Sequence, residues 1–141
     1  MNEELLDVLV RQVAASVDAE AEPVAGGEDS AVRTHAWVEL LGTPHRRLVV
    51  GLTDASAVAV CGIVAGLDAA TLRSDPSLVQ DLANELANIM AGNLWPALEG
   101  ATGIGLPRAG CPAVAGFHRT RRRYVFAGTA GLEASLDVQA P

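Results

Sequence analysis

Lysine is missing from this chain of 141 residues, and all ten of its basic residues are arginine. Against 17 acidic residues that leaves a net charge of −7, which argues against a nucleic-acid partner, because a phosphate backbone calls for cations spread over one face. Cysteine is scarce as well. Cys61 and Cys111 stand alone, with no C-x-x-C and no histidine at ligand spacing, so neither a disulfide framework nor a zinc site is indicated and buried free thiols are expected. No long apolar run occurs: the uncharged stretch at 55 to 67 falls far short of the roughly 20 residues that cross a membrane. The opening MNEELLD is acidic where a signal peptide is basic. The expectation is a cytoplasmic protein. His35, His45 and His118 are scattered rather than spaced for a triad, no serine fits a nucleophile elbow, and GATGIG lacks the Lys-Ser/Thr of a phosphate loop.

What is present describes a globular chain. Half the residues are hydrophobic, enough for a single domain over 1–141 with its own core. Arginine as the sole basic residue, with abundant Ala, Gly and Val, suggests GC-rich bacterial coding. Leu5, Leu6, Leu9, Val10, Val13 and Val17 have the spacing of an amphipathic helix over 3–17. Residues 18 to 32 gather acids, Gly and Pro without periodicity and read as a surface loop. HAWVELLG, RRLVVGLT and AVAVCGIV, separated by turn residues, read as a three-stranded antiparallel meander. After a short helical turn at 67–74, Asp75 or Ser74 as N-cap and Pro76 at the first position start a long helix that Pro96 ends or kinks. The later apolar pieces GIGLP, PAVAGF, RYVFAG and GLEASLDV complete an α+β fold with an antiparallel or mixed sheet of about six strands, an N-terminal helix and a long central helix.

The long helix carries the most informative pattern. With Asp81 as zero and roughly 100° per residue, Glu85 falls near about 40° and Asn88 near about −20°, so the three share one narrow stripe. A solvated face is the plain reading. Three details pull away from it: Asp and Asn are poorer helix formers than the Lys, Glu or Gln of a generic surface; Gly92 continues the stripe at a cost of about 1 kcal/mol relative to Ala, opening a place for another backbone; and the helix holds no Lys or Arg to neutralise the acids. Leu78, Val79, Leu82, Leu86, Ile89, Met90 and Leu94 form the apolar side. Asn93 falls within that side and reads as a core amide bonded to a strand, with a helix-bending role as the alternative.

The string D-x-x-x-E-x-x-N (Asp81, Glu85, Asn88), followed by MAGN and later by the prolines of LPRAGCPAVAG, resembles the signature helix of the CheX/CheC family of chemotaxis phosphatases. The order of helix, meander, signature helix and further strands resembles CheX over nearly the whole chain. The resemblance implies hydrolysis of the aspartyl phosphate on a CheY-like response-regulator receiver. Glu85 would bind the receiver's invariant lysine, Asn88 would orient the attacking water, and Asp81 would dock the helix, with Gly92 and Trp95 as further partner contacts. It implies no cofactor and no metal in this chain, with Mg²⁺ expected on the receiver, and a homodimer joined through sheet edges. Trp95 departs from the pattern, since family members more often continue with small or basic residues.

Two other readings share these residues: a non-catalytic module that docks and shields a receiver, and a dimerisation unit in two-component or chemotaxis signalling. The run HRTRRR at 118 to 123 reads as a hairpin or edge strand whose cations discourage unwanted pairing, or as a partner for the acidic 18 to 30 segment.

Overall fold

The alternation of short apolar runs resolves into seven strands and four α-helices among the described residues of the computed structural model. The structure describes residues 2–25 and 31–141. In chain order these are α1 (Asn2–Ser16), β1 (Ala21–Val24), β2 (Val32–Gly42), β3 (Arg46–Thr53), α2 (Asp54–Ala65), α3 (Ala69–Ser74), α4 (Pro76–Leu94), β4 (Ala101–Ile104), β5 (Arg108–Ala109), β6 (Phe117–Phe126) and β7 (Thr129–Gln139). A 3₁₀ turn, Trp95–Ala97, follows α4. The strands form one sheet in the order β1-β6-β7-β3-β2-β4, with β5 also against β2 and every pairing antiparallel.

Two sequence expectations are overturned here. The run AVAVCGIV is the body of α2, and the second strand beside β3, opposite β2, is β7. The run is apolar at both periods, so its ends decide. The Thr53 side chain accepts the Ser56 N–H at 3.1 Å, Asp54 lies in the first turn, and Gly66 closes the helix with φ 69 while its N–H donates to Gly62 O. Burial of Ser56, Ala57, Val60 and Cys61 follows helical steps. The 18 to 32 segment is likewise no continuous loop. Ala21–Val24 pairs with residues 123–126 of β6, and β2 begins at Val32; residues 26–30 lie outside the described residues.

Alternation along the strands sorts the sheet into two faces. Ala36, Val38 and Leu40 of β2, Leu48, Val50 and Leu52 of β3, Tyr124 and Phe126 of β6, and Leu132, Ala134 and Leu136 of β7 turn to one side, where α1, α2 and α4 complete the core. Each large side chain buried there contributes about 1.5–3 kcal/mol. Helix α4 lies chiefly over β2. Ala83, Ala87 and Ala91, all buried at four-residue steps, let its backbone approach that strand closely.

The opposite face is built from charge in register. Glu39, Arg47, Asp137 and Arg119 are successive cross-strand partners on β2, β3, β7 and β6. Asp137 is fully buried and takes bonds from Arg47 at 2.8 and 3.0 Å and from Arg119 at 2.7 and 2.9 Å. Those bonds hold the Arg119 guanidinium above its ordinary pKa. Arg47 also donates to Ala113 O and Arg119 to Pro112 O, so the same two cations fasten the segment after β5 across the sheet. That segment contains PAVAGF, of which only Phe117 belongs to a strand.

Candidate functional site

Helix α4 begins where the sequence says it should. The Asp75 carboxylate accepts from the Ser77 hydroxyl at 2.8 Å and the Leu78 N–H at 3.2 Å, which together hold its pKa below the ordinary carboxylate value, and Pro76 occupies the first turn. The helix then runs 19 residues. That length makes it a rigid carrier for whatever its outer face presents.

Ala83, Leu86, Ala87, Met90, Ala91 and Leu94 are its buried residues, an arc of about 140° to 280° on the wheel whose zero is Asp81. The three alanines turn this arc further round than the large apolar residues alone suggest. Two consequences follow. Asp81, Glu85 and Asn88 all lie exposed on the far side, and Asn93 is exposed too rather than a core amide, because its position near about 120° falls just outside the arc. Ile89 is also 40 % exposed beside the stripe.

Among the described residues, the side chains of Asp81, Glu85 and Asn88 make no hydrogen bond and no ion pair. Gly92 sits half-exposed in line with them, and a Cβ built on it would meet nothing within 4 Å. The helix's own packing therefore does not require glycine there. Trp95 opens the 3₁₀ turn, half-buried and packed against the core. Among the described residues no group of three or more His, Cys, Asp or Glu side chains is placed to hold a metal ion, and no helix is long and apolar enough to cross a membrane.

Sequence reasoning passed over two neighbours. Gln80 Nε2 donates to His35 O on β2 at 2.9 Å and to Asn84 Oδ1 at 2.8 Å. Gln80, Asn84 and Asn88 follow at four-residue steps, one amide per turn along the border of the stripe. That spacing is legible in the sequence; the bond to the sheet is not.

Chemically the face offers two carboxylates for a cation, a carboxamide that both accepts and donates, and a bare backbone at Gly92. No protein-family model and no curated protein matches the chain. Solved structures do. A CheX chemotaxis protein from Desulfovibrio desulfuricans superposes with a TM-score of 0.73 at 15% identity, covering 96% of this chain and 97% of that one. This is the CheX fold. CheX of Borrelia burgdorferi, solved in a CheX-CheY-BeF3-Mg²⁺ complex, shares it with a TM-score of 0.65, 16% identity and coverage of 94% and 97%. FliM of Helicobacter pylori, solved with SpeE, shares it with a TM-score of 0.62, 8% identity and coverage of 97% and 85%. The CheX fold thus carries the expected α+β architecture, with seven strands where about six were expected.

The cations of HRTRRR are spent inside the molecule. Arg122 pairs with Asp7 and Glu3 of α1, Arg123 with Glu133, and Arg119 with Asp137. Among the described residues none of these partners lies in the acidic segment from 18 to 25, whose Glu22 pairs with Arg11; its positions 26–30 lie outside the described residues. Strand β1 covers residues 123–126 of β6, which leaves residues 117–122 without an outer strand among the described residues.

Proposed function

We propose that this protein dephosphorylates receiver domains of the CheY type by inserting the outer face of α4 into the phosphorylated site. The observation that carries this reading is a stripe of exposed polar side chains, Asp81, Glu85 and Asn88, left without partners beside an open Gly92 on a CheX fold. The complex of a fold relative with CheY, BeF3 and Mg²⁺ supports the same class of partner.

Attack of water on an aspartyl phosphate asks chiefly for positioning and charge stabilisation. Asn88 suits both demands. Its carboxamide oxygen accepts from the water, its nitrogen donates toward a phosphoryl oxygen, and it adds no negative charge beside a dianion. Glu85, one turn earlier, takes the receiver's lysine. Asp81 docks the start of the stripe, and Gly92 admits the receiver's backbone. The Mg²⁺ of this chemistry belongs to the receiver and supplies charge neutralisation there.

Phosphate loss from the organism's phosphorylated receivers, measured with wild type and Asn88→Ala, tests the reading. Wild type accelerates loss from a cognate receiver, and Asn88→Ala lowers the stimulated rate by about 100-fold or more, as for removal of one transition-state hydrogen bond. A wild-type protein that accelerates none of them ends it. The same unpartnered stripe also suits a second reading, a receiver-docking module without turnover. Binding of receivers with an unchanged phosphate half-life would establish that one instead.

A homodimer has an edge available in residues 117–122 of β6. Arg119 and Arg122 are already neutralised by Asp137, Asp7 and Glu3, which leaves Arg121, 54% exposed and 4.0 Å from Glu133, as the cation that self-pairing must accommodate. Sedimentation distinguishes dimer from monomer.

A further inference from the structure

Residues 80 to 88 hold a feature the stripe does not explain. Gln80 reaches off the helix to bond the sheet, and in doing so it fixes the orientation of a second carboxamide next to Asn88. The assignment is forced by chemistry. His35 O is a backbone acceptor, so the Gln80 atom facing it at 2.9 Å is the nitrogen. That same nitrogen lies 2.8 Å from the Asn84 side chain, so the Asn84 atom facing it is the oxygen. Asn84 Nδ2 is therefore turned away from Gln80. It makes no hydrogen bond among the described residues, and the residue is half-exposed. A donor has been oriented from the sheet and left without an acceptor, one turn before Asn88.

We propose that Asn84 is a further partner-binding residue of the α4 face, donating from Nδ2 to an acceptor at the rim of the receiver's phosphoryl pocket, with Gln80 as its positioning residue. This inference rests on the proposed function. Helical geometry puts Asn84 and Asn88 at neighbouring positions on one face, so a receiver seated on Asn88 lies within reach of Asn84. Tethering through Gln80 to β2 removes side-chain freedom before binding, which is the advantage of a preorganised contact.

Asn84→Asp is the sharp test, because Oδ1 still accepts from Gln80 while the outward donor becomes an acceptor. The half-saturating receiver concentration for stimulated phosphate loss rises about tenfold, and the saturated rate stays with wild type. Gln80→Ala, which frees the amide and drops the bond to His35 O, raises it about threefold in wild type and not further once Asn84→Asp is present, since contacts acting through one another are not additive. Asn84→Ala, a better helix former, carries the test if Asn84→Asp fails to fold. Titration against the receiver with and without beryllofluoride separates the two acceptors: a loss confined to the activated form points to a phosphoryl oxygen, and an equal loss in both points to a rim carbonyl. A superimposable Asn84→Asp titration overturns the inference while leaving the proposed function intact. So does a Gln80→Ala cost that is the same in both backgrounds. If wild type itself neither binds nor dephosphorylates any receiver, both readings fall.

Discussion

Asp137 on β7 and Glu85 on α4 carry the same functional group into opposite company. Asp137 is enclosed by two guanidiniums and stripped of water. Glu85 stands in solvent without a partner among the described residues. Glu133 of the sheet and Asp7 of α1 follow the first pattern: Glu133 meets Arg123, and Asp7 takes Arg122 and the Tyr124 hydroxyl. The Asp7 contact, after burial, pushes the Tyr124 phenol above its ordinary pKa. The acids of the α4 stripe follow the second. A buried carboxylate without a counter-charge is costly, whereas an exposed one is indifferent to stability. The first set is therefore dictated by folding. The second set is free to be dictated by something outside the chain.

The comparison breaks most visibly at Asp137. Asp137→Ala leaves Arg47 and Arg119 facing each other with no anion between them and releases their hold on the segment that carries Ala113 and Pro112. The expected loss is about 3–5 kcal/mol, read as a fall in Tm of roughly 10 °C for a domain of this size. An unchanged Tm would show that the row of charges is decoration.

Asn88→Ala sharpens the contrast from the other side. The side chain is exposed and bonds to nothing among the described residues, so thermal unfolding shifts by no more than about 0.5 kcal/mol while stimulated dephosphorylation collapses. A marked loss of stability would mean that Asn88 serves the fold and would return the stripe to the solvated face that spacing alone suggests.

The two regions also differ in how much of them the sequence discloses. Helix α4 is legible because its signals are local: Asp75 caps it, Pro76 starts it, and the stripe repeats within one element. Even there Asn93 was misplaced, since counting only large apolar residues overlooks the alanine row that seats α4 on β2. Helix α2 was misread because a run apolar at both periods leaves the decision to caps, here the Thr53 hydroxyl and the αL geometry of Gly66. Strand β1 hid inside an acidic, Pro-containing segment because it exists by virtue of β6, a hundred residues downstream. The Asp137 cluster is illegible for the same reason: its meaning lies in a register joining positions 47, 119 and 137. The Gln80 bond to His35 O falls between these cases, an amide ladder visible on the wheel whose anchor belongs to another strand.

Gly92 gives the smallest effect and the cleanest separation, because folding and docking pull it in opposite directions. A methyl group there meets nothing within 4 Å, and alanine is about 1 kcal/mol better than glycine inside a helix, so Gly92→Ala raises Tm by a few degrees. If the residue were merely a tolerated imperfection of a solvated face, the variant would gain stability and lose nothing. If the bare backbone admits a receiver, the same methyl group occupies the place the partner needs, and the half-saturating receiver concentration rises while the protein becomes more stable. Measured together on one purified variant, these two numbers move apart for a docking surface. For an idle helix, the Tm alone rises.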